Sequence, residues 1–398
     1  MTVLDRFLEY VAIESTATTE KEDRCSDPKM LVLSDRLMAE LQELHPYEIS
    51  INRFGIVDAK FHGTGDKPMV VFCSHVDTSS QASDKDVKVK IERYDGKNPI
   101  VLNDHMTLNE EAFPELKRSI GHDVIHTDGT TLLGGDDKAG IAIIMTALNE
   151  LAAGKEASRP LEIIFTTDEE IGADAEHVSM ELVKSKYGYT VDGGPYDYAS
   201  IETFTAFGMS VKVTGHSIHP GSAKDKMVNA SNVLMHFQNA LPEFLRPEDT
   251  EDREPFFHLC SMAGTEESAS ADYIIRSFDE NQIQQLIALA RLTARRINDR
   301  LGYEAIVLDI ENQYHNMKVV LDQHPEIQRE MENVYEKLGM KLNYVSVRGG
   351  TTGSQLSFKG LPCPNLGDGD YNCHGPYEYV DLQEMEIMVN VVKELMRA

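Results

Sequence analysis

The chain of 398 residues has no apolar run close to the ~20 residues a membrane-crossing helix needs, so no membrane partner is expected. It is short of positive charge: 38 Lys and Arg stand against 66 Asp and Glu, a net charge of −28. That balance argues against nucleic acid and anionic membrane surfaces as partners, because both select basic patches. Cysteine is scarce. Cys25, Cys73, Cys260, Cys363 and Cys373 are odd in number, scattered and free of any CxxC, so neither a disulfide framework nor a structural zinc site is expected. Low-complexity segments and internal repeats are absent too. The opening MTVLDRFLEYVA sets Val3, Leu4, Phe7, Leu8 and Val11 at helical spacing among acids, unlike a basic leader with a signal core, and a cytoplasmic protein is the expectation.

What is present is ordinary globular composition, 41% hydrophobic and 26% charged, at a length suited to two or three domains. From residue 1 to about 203, helical and strand periods alternate. Residues 31–44 and 139–153 read as helices, the second apolar nearly all round and therefore buried. MVVFC (69–73) and LEIIF (161–165) read as strands. This is an α/β pattern, predicting a mixed, largely parallel sheet flanked by helices. Residues 204–313 read differently, as βαββαβ, an inserted α+β unit with its own core. Helical and strand periods then resume, with helices at 325–339 and 380–397. The expected division is 1–203 with 314–398 as one domain and 204–313 as the insert.

One stretch poses a question. LEIIFTTDEEIG runs from an apolar strand into Asp168, Glu169 and Glu170, three adjacent carboxylates that repel one another and are costly to desolvate. Other apolar runs end similarly: SHVDT with His75 and Asp77, LLGGDDKAG with Asp136 and Asp137, and YTVDGG with Asp192. In a parallel α/β sheet, ligands bind along the edge formed by the carboxyl ends of the strands. Acids and imidazole delivered to one such edge suit Zn²⁺, Mn²⁺ or Co²⁺. His75 and Asp77, two apart, point to one side of a strand, where the carboxylate supports the histidine. A second histidine is needed for a balanced pair of ions, and His374 in GDGDYNCHGPYE is the best candidate. Taken singly, each of these is more ordinary: a surface His-Asp pair, a helix N-terminus that favours acids, a solvated loop, a turn. Their joint occurrence carries the reading.

GHDVIH places His122 and His126 four apart, as in a zinc-binding helix, but Gly121 and the turn at 127–129 flank it. In an extended segment at ~3.3 Å per residue they stand roughly 13 Å apart, too far to share an ion. GTTLLGG lacks the GK[ST] of a phosphate loop.

SHVDT, LLGGDDKAG, FTTDEEIG, VDGG and HGPYE together resemble the dinuclear zinc peptidases of the M20 family. HPGSAKDKMVNA, DYIIRSFD, NQYHNM and RGGTTGSQLSFKGLPCPNL are similar to its aminotripeptidase branch, peptidase T. The resemblance implies two Zn²⁺ ions, with Co²⁺ or Mn²⁺ as substitutes: His75 and Asp192 on one, Glu170 and His374 on the other, Asp136 bridging. It implies Asp77 holding His75, Glu169 as general base, and His219, Arg276 and Arg348 contacting substrate. The insert is implied to be a lid that also mediates a homodimer. One departure stands out: peptidase T usually carries an Asp where this chain has Thr352. The implied activity is removal of the N-terminal residue from short peptides, tripeptides above all. A dinuclear deacylase or dipeptidase acting on N-acyl amino acids or dipeptides is the alternative, since the same two metals serve it.

Overall fold

The computed structural model describes residues 1–19, 23–64 and 67–397. The chain divides into two compact units: Met1–Ile201 with Val319–Val345 and Thr351–Ala398, and Glu202–Lys318 with Ser346–Gly350.

The first unit is built on an eight-stranded sheet. Its order is Glu48–Ile51, Val57–Phe61, Leu161–Thr166, Val70–His75, Tyr187–Val191, Asn365–Leu366, Tyr198–Thr203 and Asn343–Val347. The centre is parallel. Val70 to His75 lie opposite Leu161 to Thr166, Val70 to Cys73 opposite Tyr187 to Thr190, and Asn365 and Leu366 opposite Thr190 and Val191. The pairings on either side are antiparallel, so the sheet is mixed with a parallel heart. Val70–His75 and Leu161–Thr166 are buried at every residue, which their continuous apolar runs foretell for strands covered on both faces.

One cover is the helix Gly135–Gly154, buried along nearly all of Gly135–Leu148 and packed by the helices Val3–Val11 and Leu382–Arg397. Val71, Cys73 and Ile164 instead share a core with Ala175, Val178, Leu356 and Cys363. A smaller sheet orders Asp370–Tyr371, Tyr379–Asp381, Asp123–His126 and Lys90–Arg93. His126 ends the strand Asp123–His126 and His122 lies in the bend before it, His122 Nδ1 being 2.8 Å from Asp381 Oδ2 and His126 Nδ1 2.8 Å from the Thr127 carbonyl.

The second unit runs strand Thr205–Thr214, helix Ala230–Ala240, strands Phe256–Gly264 and Ser268–Ser277, helix Glu280–Leu301, strand Ile306–Tyr314. The strands form one antiparallel sheet, Phe256–Gly264 and Ile306–Tyr314 at its edges. Met209, Val211, Ala271, Tyr273 and Ile275 close one face against Leu234, Phe237, Ile283, Ile287 and Ala290 of the two helices. Asp279 caps the long helix through Gln282 N at 2.8 Å, and Gly302, in the left-handed region at φ 79°, ends it. Among the described residues no helix is long and apolar enough to cross a membrane.

Candidate active site

The parallel register aligns strand ends. His75 closes its strand beside Thr166, and the neighbouring strand ends at Val191. Asp168 to Glu170 and Asp192 therefore leave the sheet along the same edge. The run before Asp136 is different from the sequence reading. Residues 131–134 form no strand, and the chain enters the helix Gly135–Gly154 from a loop. That loop is held by Glu378, a buried carboxylate accepting from Leu133 N (2.6 Å), Gly134 N (2.9 Å) and Asp136 N (3.2 Å). Asp136 thus reaches the strand ends from the helix side.

Asp136 stands between two imidazoles. Its Oδ1 lies 2.9 Å from His75 Nε2 and its Oδ2 3.1 Å from His374 Nε2. Asp192 Oδ1 is 3.6 Å from His75 Nε2, and Glu170 Oε2 is 3.2 Å from His374 Nε2. Glu169 Oε2 is set back at 4.0 Å from His75 Nε2. The five residues expected around a metal pair, with Glu169, therefore meet in one place within the first unit.

The expected support of His75 by Asp77 takes another form. His75 Nδ1 is 3.0 Å from the main-chain carbonyl of Asp77, whereas the carboxylate Oδ1 is 3.6 Å away. The Asp77 carboxylate is occupied by the turn behind it, accepting from Glu169 N (3.2 Å) and Glu170 N (3.0 Å). Asp168 faces the opposite way and accepts from Ser26 N at 3.0 and 3.1 Å. The three adjacent acids are thereby separated in role.

The electrostatics are those of clustered acids. Burial, then the charge of Asp136, pushes Glu170 up to about 8. Burial raises Glu169 well above the usual carboxylate range, with Asp192 and Asp174 adding to it. Burial alone would lower His75, yet its bonds to Asp136, Asp192 and Asp77 outweigh it and lift the imidazole well above an ordinary histidine. His374 is pushed up to about 9, first by its bond to Asp136. Negative charge at these carboxylates is thus disfavoured unless positive charge meets it. Glu170 Oε1 is buried without a hydrogen-bond partner, which is costly for a carboxylate unless something positive meets it. Two imidazoles with their Nε2 atoms directed at carboxylates, and a shared Asp, fit a pair of borderline divalent ions.

Sequence reasoning gave several neighbours no role. Asp137, fully buried, accepts from His75 N at 3.1 Å and Gly140 N at 3.2 Å, pinning the end of the His75 strand to the helix. Glu378 lies in the HGPYE stretch, but its partners are more than 240 residues away. Cys373 adjoins His374, and its sulfur groups with Asp136 and His374 as a possible donor.

The other three expected residues lie in the second unit. His219 is exposed, and its Nδ1 accepts from Gly221 N at 3.1 Å, which leaves the proton of the neutral ring on Nε2. Arg276 donates to the carbonyls of Phe207 (3.3 Å) and Ile275 (3.1 Å) and stacks over Tyr314. Arg348 is committed internally: it donates to the carbonyls of Asp252 (2.8 Å) and Glu254 (3.1 Å) and to Thr250 Oγ1 (2.9 Å), over the rings of Phe204 and Phe256. These bonds make it a bracket within that unit.

A model of peptidase family M20/M25/M40 matches residues 122–398. Peptidase T of Caldanaerobacter subterraneus is 39% identical over 399 residues, covering 99% of this chain and 97% of its own. Peptidase T of Bacillus subtilis is 38% identical over 400 residues, with coverage of 99% and 97%. The chain belongs to the peptidase T branch of family M20. It is thus a metallopeptidase-family hydrolase. Solved structures share the fold of this M20 member: an aminopeptidase PepT from Bacillus cereus (TM-score 0.76, 19% identity) and a tripeptidase from Staphylococcus aureus (0.77, 20%), each spanning 99% of this chain and 97% of its own.

Proposed function

We propose that the chain is an aminopeptidase that releases the N-terminal residue of short peptides, tripeptides foremost, at a centre of two divalent cations. The observation that carries this is Asp136 placed between His75 and His374, one carboxylate oxygen to each imidazole. His75 and Asp192 would hold one ion, His374 and Glu170 the other, and Asp136 both. Zn²⁺ suits this donor set best, with Co²⁺ and Mn²⁺ as substitutes. Bound there, such ions polarise a peptide carbonyl and acidify a water.

The remaining work falls to side chains. Glu169 is not needed as a ligand, lies beside the set, and is anchored through its amide to Asp77. Its carboxylate takes the proton of the attacking water and returns it to the leaving amine, a general base turned general acid. His219, with an N–H on Nε2, is suited to a developing oxyanion, and the Arg276 guanidinium to the peptide carboxylate. The names of its peptidase T relatives support the tripeptide assignment. We also propose a homodimer through the second unit, whose sheet has two edge strands open to pairing.

The test is a panel of free tripeptides, dipeptides and N-acetyl amino acids offered to chelator-stripped protein with Zn²⁺, Co²⁺ or Mn²⁺ restored in turn. Tripeptide cleavage yielding the first residue is expected. Cleavage of the acylated compounds alone would replace this reading with the deacylase.

A further inference from the structure

The LGGDDKAG stretch also delivers a lysine to the interior. Lys138, two residues after Asp136, has 0% exposure. A buried ammonium is costly unless oxygen atoms meet it. Its Nζ donates to the Ile13 carbonyl at 2.7 Å. Burial pulls the ammonium down to about 8, against the charges of Asp84, Glu378 and Asp77. Ile13 belongs to the stretch that leaves the helix Val3–Val11, and the same stretch is gripped again a few residues on.

The second grip is Asp84, also buried. Its Oδ2 accepts from Ser15 N at 2.6 Å and from Thr78 Oγ1 at 2.9 Å, and its Oδ1 accepts from Thr16 Oγ1 at 2.5 Å. The main chain repeats the tie. Thr78 N donates to the Ser15 carbonyl at 3.2 Å, and Ala17 N to the Thr78 carbonyl at 2.9 Å. Thr78 stands three residues after His75, so residues 13–17 run between the turn that bears His75 and the turn that bears Asp136. The two turns also close directly on one another. A Cβ added at Gly134 would stand 3.4 Å from Thr78 Cγ2 and 3.6 Å from Lys138 Nζ. Asp137 adds a bond from His75 N at 3.1 Å. That bond fixes the end of the strand, whereas the strap of residues 13–17 fixes the turn beyond it.

We propose that Asp84 and Lys138 are positioning residues: by gripping residues 13–17 from two sides, they set the turn bearing His75 against the turn bearing Asp136 and so shape the place of the ion held by His75, Asp192 and Asp136. The inference rests on the ligand roles proposed above. Asp84 acts on the His75 side alone. Lys138 acts through Asp136, which serves both ions.

The experiment titrates Zn²⁺ and Co²⁺ into chelator-stripped full-length chains, native, H75A, D84A, T16V, T16S and K138M, with unfolding of the stripped proteins and tripeptide kcat read in parallel. H75A marks which of two binding steps belongs to the His75 ion. D84A should weaken that step about 10–100-fold and leave the other near native. T16V keeps the shape and removes one hydrogen bond to Asp84, so a loss of about fivefold in the same step is expected, with T16S restoring it. K138M should weaken both steps, about tenfold or more. Saturating metal should return kcat in T16V to near the native value. The inference is overturned if D84A and T16V bind both ions as the native chain does while the stripped proteins merely unfold earlier, which is fastening without positioning. A T16V kcat that stays low at saturating metal is equally contrary, and native-like binding by K138M removes Lys138. Should D84A fail to fold, T16V and T16S decide, equal affinities in the two being the contrary result. A native chain that takes up fewer than two ions would instead sink the ligand assignment itself.

Discussion

Asp77 receives the amides of Glu169 and Glu170 on its two oxygens while its carbonyl meets His75 Nδ1. Asp77→Asn turns one acceptor into a donor facing an N–H, so both the base and a ligand should drift. The expected loss in turnover or metal affinity is about 10–100-fold, the usual penalty for removing an outer partner, read by kinetics and metal titration. Glu378→Gln does the same to the loop that presents Asp136, and metal uptake should weaken by a similar factor, about 10–100-fold. Glu169→Gln keeps size and amide contact but removes the proton carrier. Turnover should fall about 10²–10⁴-fold with metal content near normal, checked by single-turnover kinetics beside metal analysis. That acids gather here was legible because strand ends announce themselves in apolar runs. The roles of Glu169 and Glu170 came from the family resemblance alone, and that of Asp168 was not legible, because it is claimed by Ser26, 142 residues earlier.

Among the elements, those that bury one face along a regular period could be read directly: the helix Glu280–Leu301 places Ile283, Ile287, Ala290 and Ala294 inward. The strand Asn365–Leu366 has two residues, and the helix Thr352–Phe358 carries Gly353, Ser354 and Ser357, so neither leaves a period to detect. Segments in the second unit are also joined by charge. Arg253 donates to both oxygens of Glu202, at 2.6 and 2.8 Å, and Ser346 to one of them at 2.7 Å. The Arg253 bond first of all lowers Glu202 to about 2, against burial. A depressed carboxylate contributes stability above its unfolded value, 4.5 for Glu, and loses it as pH falls through the folded one. Because Arg253 is largely exposed, screening reduces the contribution to about 1 kcal/mol. Glu202→Gln should therefore lower the unfolding temperature at pH 7, and the gap to the native chain should narrow as pH falls from 4.5 toward 2, followed by calorimetry.

For the molecule as a whole, the acids gathered at Asp136 mean that a chelator should abolish turnover and also lower the unfolding temperature of the first unit, since repelling carboxylates are left unmatched. Restoring Zn²⁺, Co²⁺ or Mn²⁺ should reverse both effects, while an unfolding temperature indifferent to metal would argue against the assigned ligands. Light scattering should give twice the 44.6 kDa chain mass, and a monomer would remove the dimer proposal.

The central sheet is closed by Asn365–Leu366, slotted between Tyr187–Val191 and Tyr198–Thr203, and the apolar helix Gly135–Gly154 is covered by Leu382–Arg397. During translation both pieces leave the ribosome after the strands and the helix they complete. A nascent chain halted at residue 360 has an unfilled gap in its sheet and a greasy helix covered by Val3–Val11 but not by its other neighbour, so it should remain a target for proteases and chaperones until residues 361–397 have emerged.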